Sequence, residues 1–263
     1  MLKFFRKIRA EMLNDHGSSS PAVRMRKYLL YALGEIVLVV IGILIALSIN
    51  NANQNSIIRE KEQTYLAGLL YEFQTSKTKL DNLIEVNRQN YEGAKKLLVT
   101  MDNSAPEMNE EELNILLFNS LVFDVAYNPN NSLLQEMMNS GSLKDISNPR
   151  LRTFLTSWDS FIGKIRIQEA ELRQQRQDIV DLFRIGNGSI RTILDQANVT
   201  PDMLGIPKSN DVKSNMEILR SQEFENNMLL FILTSISTEK EHYEPLSQRI
   251  AEILDLLESE IKK

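Results

Sequence analysis

Two carboxylates stand out by position. Glu35 lies inside an otherwise apolar stretch, residues 28–49, and Glu239 stands three residues before His242 in Glu239-Lys240-Glu241-His242. An ionisable group in a membrane-length apolar segment costs free energy unless it is protonated, paired or able to reach the interface, so it is a functional candidate by default. Glu35, Val39, Gly42 and Ala46 recur at helical spacing and share one face. Gly42-x-x-x-Ala46 is a small-xxx-small pair, which lets two helices approach closely. Three uses of Glu35 are open: reaching to the cytoplasmic interface, packing against another span, or proton coupling. The E-x-x-H spacing puts a carboxylate and an imidazole on one α-helical face. Di-iron bundles use two such motifs and two further glutamates. This chain has only two histidines, His16 and His242. His16 is expected across the membrane, so one copy cannot complete such a site, although a symmetric dimer could. His242 reads as a surface residue, and neither a metal nor another cofactor is expected. The chain contains no cysteine, which excludes disulfides, thiolate metal sites and cysteine nucleophiles. No glycine-rich phosphate loop follows a strand, and no convincing serine–histidine–acid set occurs.

Trp158, the single tryptophan, keeps phase with Leu151, Phe154, Leu155 and Ile162. That phase predicts a core or groove position rather than an exposed recognition residue. Met137 and Met138 read as packing for a short helix.

The elements that position these residues begin with the apolar stretch. As a helix its 22 residues cover about 33 Å, enough to cross a bilayer core. Residues 1–27 hold seven basic side chains, Lys3, Arg6, Lys7, Arg9, Arg24, Arg26 and Lys27, against Glu11 and Asp15. On the other flank no charge appears before Arg59. The positive-inside rule then places the N-terminus in the cytoplasm and residues 50–263 across the membrane. A cleaved leader is the competing reading, with 36–49 as its apolar core and Ala46-x-Ser48 as a small-residue cleavage site. A very long pre-segment and the extra apolar turns before residue 34 stand against it.

The segment LKFFRKIRAEML sets Leu2, Phe5, Ile8 and Met12 at helical spacing, with Phe4 beside them and Lys3, Arg6, Lys7 and Arg9 mainly elsewhere round the helix. Such a basic amphipathic helix suits the headgroup layer of an anionic leaflet; an unstructured basic tail is the alternative. Residues 15–21 read as a flexible joint.

The motif FFRKIR followed by GEIVLVVIGILIAL-x-INN resembles a family of uncharacterised single-span proteins common in Bacteroidetes-type bacteria. The later stretch LLQEMMNSGSLKDISNPRLRTFLTSW is similar to an internal segment of the same family. The resemblance implies an inner-membrane anchor and a periplasmic helical domain, and it brings no activity or catalytic residues. Ala52 stands where family members often carry a tryptophan.

From Asn50 onward the chain carries a net charge of -9. So acidic a domain is a poor partner for nucleic acid. Leu66, Leu69, Leu70, Phe73, Leu80, Leu83, Ile84, Tyr91 and Leu98 keep an approximately helical repeat, predicting a long helix over 56–99 that can continue the span. Asn109 and Glu112 form a capping-box pattern for a helix to Leu121. Residues 123–131 are predicted irregular. Ser132 is expected to cap a short helix that Gly141 ends. Asn148-Pro149 marks the start of the next helix, whose apolar stripe thins after Ile165 and returns at Ile179, Leu182 and Phe183. The Gly186-Asn187-Gly188 turn closes it. Short helices are expected over 190–197 and 212–220, with Thr200-Pro201 and residues 205–210 in or beside the linkers. A last long helix starts near Ser221, kinks at Pro245 and follows Tyr243, Leu246, Ile250, Ile253, Leu257 and Ile261.

The expected fold class is therefore all-α: an N-terminal amphipathic helix, one transmembrane helix and an elongated antiparallel helical bundle. The expected division is 1–27 tail, 28–49 span and 50–263 extracytoplasmic domain. Composition and the missing constellations favour a non-enzymatic, membrane-anchored interaction protein. Its expected partners are the membrane and a second copy or another membrane protein. Ligand sensing and ion coupling through Glu35 are the other readings. Topology is testable: a reporter fused after Lys263 should be active only if it works in an exported compartment, and activity of a cytoplasm-only reporter there contradicts the orientation.

Overall fold

The computed structural model describes residue 10 and residues 21–101 and 108–261. All regular elements among them are helical, with no strand. The chain divides into two compact units, Met1–Glu60 and Lys61–Lys263. Helix α1, Pro21–Met101, is 81 residues long. No proline interrupts it after its first residue, so its i→i−4 ladder has no obligatory break. The expected long helix and the expected span are thus one element.

In the first unit, α1 is apolar and bare. It is long and apolar enough to cross a membrane, and none of its most apolar window is buried within the chain. The expected amphipathic helix, with Lys3, Phe4, Phe5, Arg6, Lys7 and Arg9, lies outside the described residues.

The second unit adds α2 (Glu110–Leu121), α3 (Ser132–Ser140), a 3-10 turn (Ser142–Asp145), α4 (Pro149–Arg184), α5 (Ile190–Gln196), α6 (Val199–Asp202), α7 (Met216–Leu219), α8 (Gln222–Ser237), a π-helical turn (Thr238–Tyr243) and α9 (Glu244–Ile261). Local signals set several boundaries. Asn109 and Glu112 make both halves of a capping box. Asn148 Oδ1 accepts from the N–H groups of Arg150 and Leu151, with Pro149 in the first turn. Gly141 closes α3 at φ 71°, the left-handed conformation that costs glycine least.

Three seams build the core. On α4, Leu151, Leu155, Trp158, Ile162, Ile165, Leu172, Ile179 and Phe183 are buried. Leu66, Leu69, Phe73, Leu80 and Leu97 face them from α1, and Phe224, Met228, Phe231, Leu246, Ile250, Ile253 and Leu257 from α8 and α9. Trp158 meets Phe73 edge to face at 4.9 Å between centroids. The start of α4 lies beside the end of α9, where Asn148 Nδ2 donates to Glu260 Oε1 at 3.1 Å. Gln63 Nε2 of α1 donates to the Glu260 carbonyl at 3.1 Å. Two glycines of α1 permit close approach: a Cβ at Gly68 would lie 2.4 Å from Leu133 Cδ2, and one at Gly93 would lie 2.4 Å from Ser120 Oγ.

Three local expectations need correction. Ser132 is the first helical residue rather than the cap, and Asn131 at the cap makes no side-chain bond; a carboxylate from α1 does that work instead. The expected helix over 212–220 shrinks to α7. The break at Pro245 takes the form of the π turn, in which the Glu244 N–H reaches the Glu239 carbonyl. The last seam ends on buried Glu260, with Ile261 only half-buried.

Because Trp158 fills the centre of this packing, Trp158→Ala should cost about 3–5 kcal/mol in denaturant unfolding. A loss below about 1 kcal/mol would contradict its place in the core.

Candidate functional site

The span face comes first. Helical geometry brings Glu35, Val39, Gly42 and Ala46 to one side of α1, and Glu35, Val39 and Ala46 are exposed. A Cβ added at Gly42 would meet nothing within 4 Å. No other described part of the chain covers this face, so anything that packs there comes from outside it.

The carboxylates of the second unit are used differently. Glu62 of α1 is buried, and its Oε1 accepts from both the N–H and the Oγ of Ser147, each at 2.7 Å. Buried Glu72 accepts from the N–H groups of Leu133 at 2.7 Å and Leu134 at 3.3 Å. These are first-turn donors of α3, which otherwise lack intrahelical partners. Ser76 Oγ accepts from the Asn130 N–H at 2.8 Å, and Tyr127 Oη donates to the Ser76 carbonyl at 3.1 Å. Glu110 takes the Asn215 N–H and the Ser214 hydroxyl. Asp195 accepts from the Thr200 hydroxyl, the Ser209 N–H and Arg191. Burial pushes the Asp195 carboxyl up, but these donors outweigh it and hold the group below the usual range.

A polar layer crosses the core where α1 and α4 meet the π turn. Glu169 of α4 is 4% exposed, and its Oε1 accepts from the Tyr127 N–H and the Tyr243 Oη, each at 2.7 Å. Burial raises the Glu169 carboxyl above the ordinary carboxylate range, against the opposing pull of those two bonds. Burial and the Glu169 carboxylate together push the Tyr243 phenol well above its usual value. Beside them, Arg88 pairs with Glu239 Oε1, Asn87 Nδ2 donates to the Ser235 carbonyl at 2.9 Å, and Gln168 Nε2 donates to Thr238 Oγ1 at 3.1 Å. Asn87 Oδ1, Ser235 Oγ and Glu239 Oε2 are buried without a hydrogen-bond partner among the described residues. Glu239 and His242 do not act together: Glu239 is buried on Arg88, while His242 is half-exposed. The π turn has more residues per turn than an α-helix, so an i,i+3 pair no longer shares a face. Among the described residues no group of three or more histidine, aspartate and glutamate side chains lies close enough to hold a metal.

Glu169 went unremarked in the sequence, yet a signal was there. Its position continues the α4 seam of 155, 158, 162, 165 and 172 at three- and four-residue steps. A charged residue on an apolar seam is a buried carboxylate needing partners. Near the end of α4 an open cleft of about 680 Å³ is bordered by Asp178, Asp181, Leu182, Glu217, Ile218 and Glu223. It is a surface feature.

A family model matches residues 35–181, described as a family of unknown function, DUF6090. The chain belongs to this family. The matched region starts at Glu35 in the span and ends within α4, so it contains the span face, the Glu62 and Glu72 ties and Glu169. No curated protein and no solved structure matches the chain.

Glu169 carries a pH signature. Its folded-state value lies above its unfolded value, so the folded chain holds a proton that the unfolded chain releases between the two. Its contribution is complete below the ordinary carboxylate value and is lost as pH rises through the raised one. Glu169→Gln keeps an oxygen for both donors and lacks the titration. In denaturant unfolding, the stability of the Gln chain relative to the parent should rise with pH across that window, and a pH-independent difference contradicts the assignment. Glu169→Ala strands both donors and should cost at least about 2 kcal/mol.

Proposed function

We propose that this protein is a non-enzymatic, membrane-anchored helical interaction protein: a scaffold, tether or accessory subunit of a membrane complex. In this reading residues 28–49 cross a bacterial inner membrane, residues 1–27 form a basic cytoplasmic tail with an amphipathic helix, and residues 50–263 form a periplasmic domain. That domain is an elongated antiparallel bundle. The face of Glu35, Val39, Gly42 and Ala46 packs against another span, where the carboxyl group is hydrogen-bonded rather than left in lipid.

The observation that carries the reading is the bare span face on a helix that runs unbroken into the folded unit. Support against an enzyme comes from the way the buried carboxylates are engaged: backbone amides, a tyrosine and an arginine already occupy them.

A photoreactive residue in the span tests the interface. Placed at Val39 or Ala46 in native membranes, it should capture protein. At Val37 or Leu44, on the opposite side of the helix, it should meet mainly lipid. Gly42→Ile should abolish capture from Ala46 by preventing close approach, while Glu35→Gln should retain much of it, because the amide still hydrogen-bonds. Equal capture from both sides, or no effect of Gly42→Ile, overturns the interface.

A further inference from the structure

Helix α1 changes character between its apolar stretch and the folded unit. Residues 50–58, NNANQNSII, are helical and every one of them is exposed. None makes a side-chain hydrogen bond or ion pair among the described residues. On one side lies the membrane-length apolar stretch. On the other, Glu62, Leu66, Leu69 and Phe73 are buried in the second unit.

Helices in proteins draw most of their stability from packing an apolar face, and less from propensity. Residues 50–58 have little of either. Asn50, Asn51, Asn53 and Asn55 are weak helix formers, because a short amide side chain competes for backbone hydrogen bonds. No charged residue occurs between Glu35 and Arg59, so no i,i+4 ion pair compensates. A helix that is polar all round and lacks such pairs is not stable by itself. Here the ladder on each side supplies a nucleus, so the segment is helical without having to form one. In the span reading, lipid holds one end of the segment and the folded unit holds the other. Its middle is left as the weakest interior stretch of α1. We propose that Asn50–Ile58 is a conformational joint, where the helix opens and bends locally while α1 on either side stays helical. Bending there lets a tethered unit reach its partner without turning the span.

Because the chain has no cysteine, introduced pairs of cysteines carry nitroxide labels at chosen sites only. The full chain is placed in lipid nanodiscs and diluted with unlabelled chain, so that each distance is measured within one copy. Ile49→Cys with Tyr71→Cys brackets the segment at exposed positions, and a straight α-helix sets them about 33 Å apart. Tyr71→Cys with Val99→Cys, also exposed, lies within the packed part of α1 at about 42 Å. The first pair should give a broad distribution with a population well short of the straight-helix distance, and the second a single narrow peak. Asn50→Ala, Asn51→Ala, Asn53→Ala and Asn55→Ala together raise propensity without removing a contact. They should reduce the short-distance population by about tenfold or more. A single narrow peak from the first pair in the parent chain, a short-distance population that the four alanines leave unchanged, or a second pair as broad as the first overturns the proposal. Each of these outcomes leaves the capture test of the span face standing, because the labels report bending rather than contact.

Discussion

The interaction on which the second unit depends is a buried carboxylate accepting a backbone N–H from a connecting segment. Residues 122–131 and 141–148 lie between α-helices, and the N–H groups of Tyr127 and Ser147 in them fall outside any helical ladder. Glu62 and Glu169 accept from the N–H groups of Ser147 and Tyr127 in these segments, and Glu72 accepts from those of Leu133 and Leu134 in the first turn of α3. A carboxylate suits this work because it only accepts, has two oxygens, and makes stronger bonds than a neutral acceptor. Its burial is tolerable because those bonds replace hydration. These three carboxylates are therefore engaged inside the fold.

This arrangement gives α1 two kinds of surface. Beyond Lys61 it is an organiser whose seam residues alternate between packing and holding connectors: Leu66, Leu69 and Phe73 fill space, while Glu62, Glu72 and Ser76 bind backbone. Before Glu60 it presents apolar side chains to its surroundings. The family match spans both kinds of surface. The protein's buried carboxylates are engaged in the ties, while the apolar side chains over 28–49 are largely exposed. That distribution is the physical basis for reading it as a partner-binding protein.

Local signals were legible in the sequence because the physics behind them is local. A capping box at Asn109, a Pro149 start and a left-handed Gly141 each involve residues within one turn. The apolar seams were legible because burial repeats at the helical period, and Trp158 followed from its phase. What escaped needs a partner distant in the chain. Ser132 looks like a cap until Glu72, sixty residues earlier, takes the donors of α3. Glu169 looks like part of a solvated charged stretch until Tyr127 and Tyr243 are seen to close on it. Pro245 announces a break, but not that the break takes the form of a π turn. The Glu239–His242 spacing misleads because it assumes 3.6 residues per turn. At the span, the face of Glu35, Val39, Gly42 and Ala46 was readable from spacing alone, and what covers it was not, since no described part of the chain does.

The dependence of the connectors on these carboxylates is most directly tested by hydrogen exchange of the full chain with and without Glu72. If the Glu72 carboxylate holds the start of α3, Glu72→Ala should raise amide exchange across residues 123–140 by about tenfold or more, the effect of losing roughly 1.4 kcal/mol of local stability. Protection in α8 and α9 should persist. Unchanged exchange over 123–140, or an equal loss of protection throughout the unit, would contradict the account.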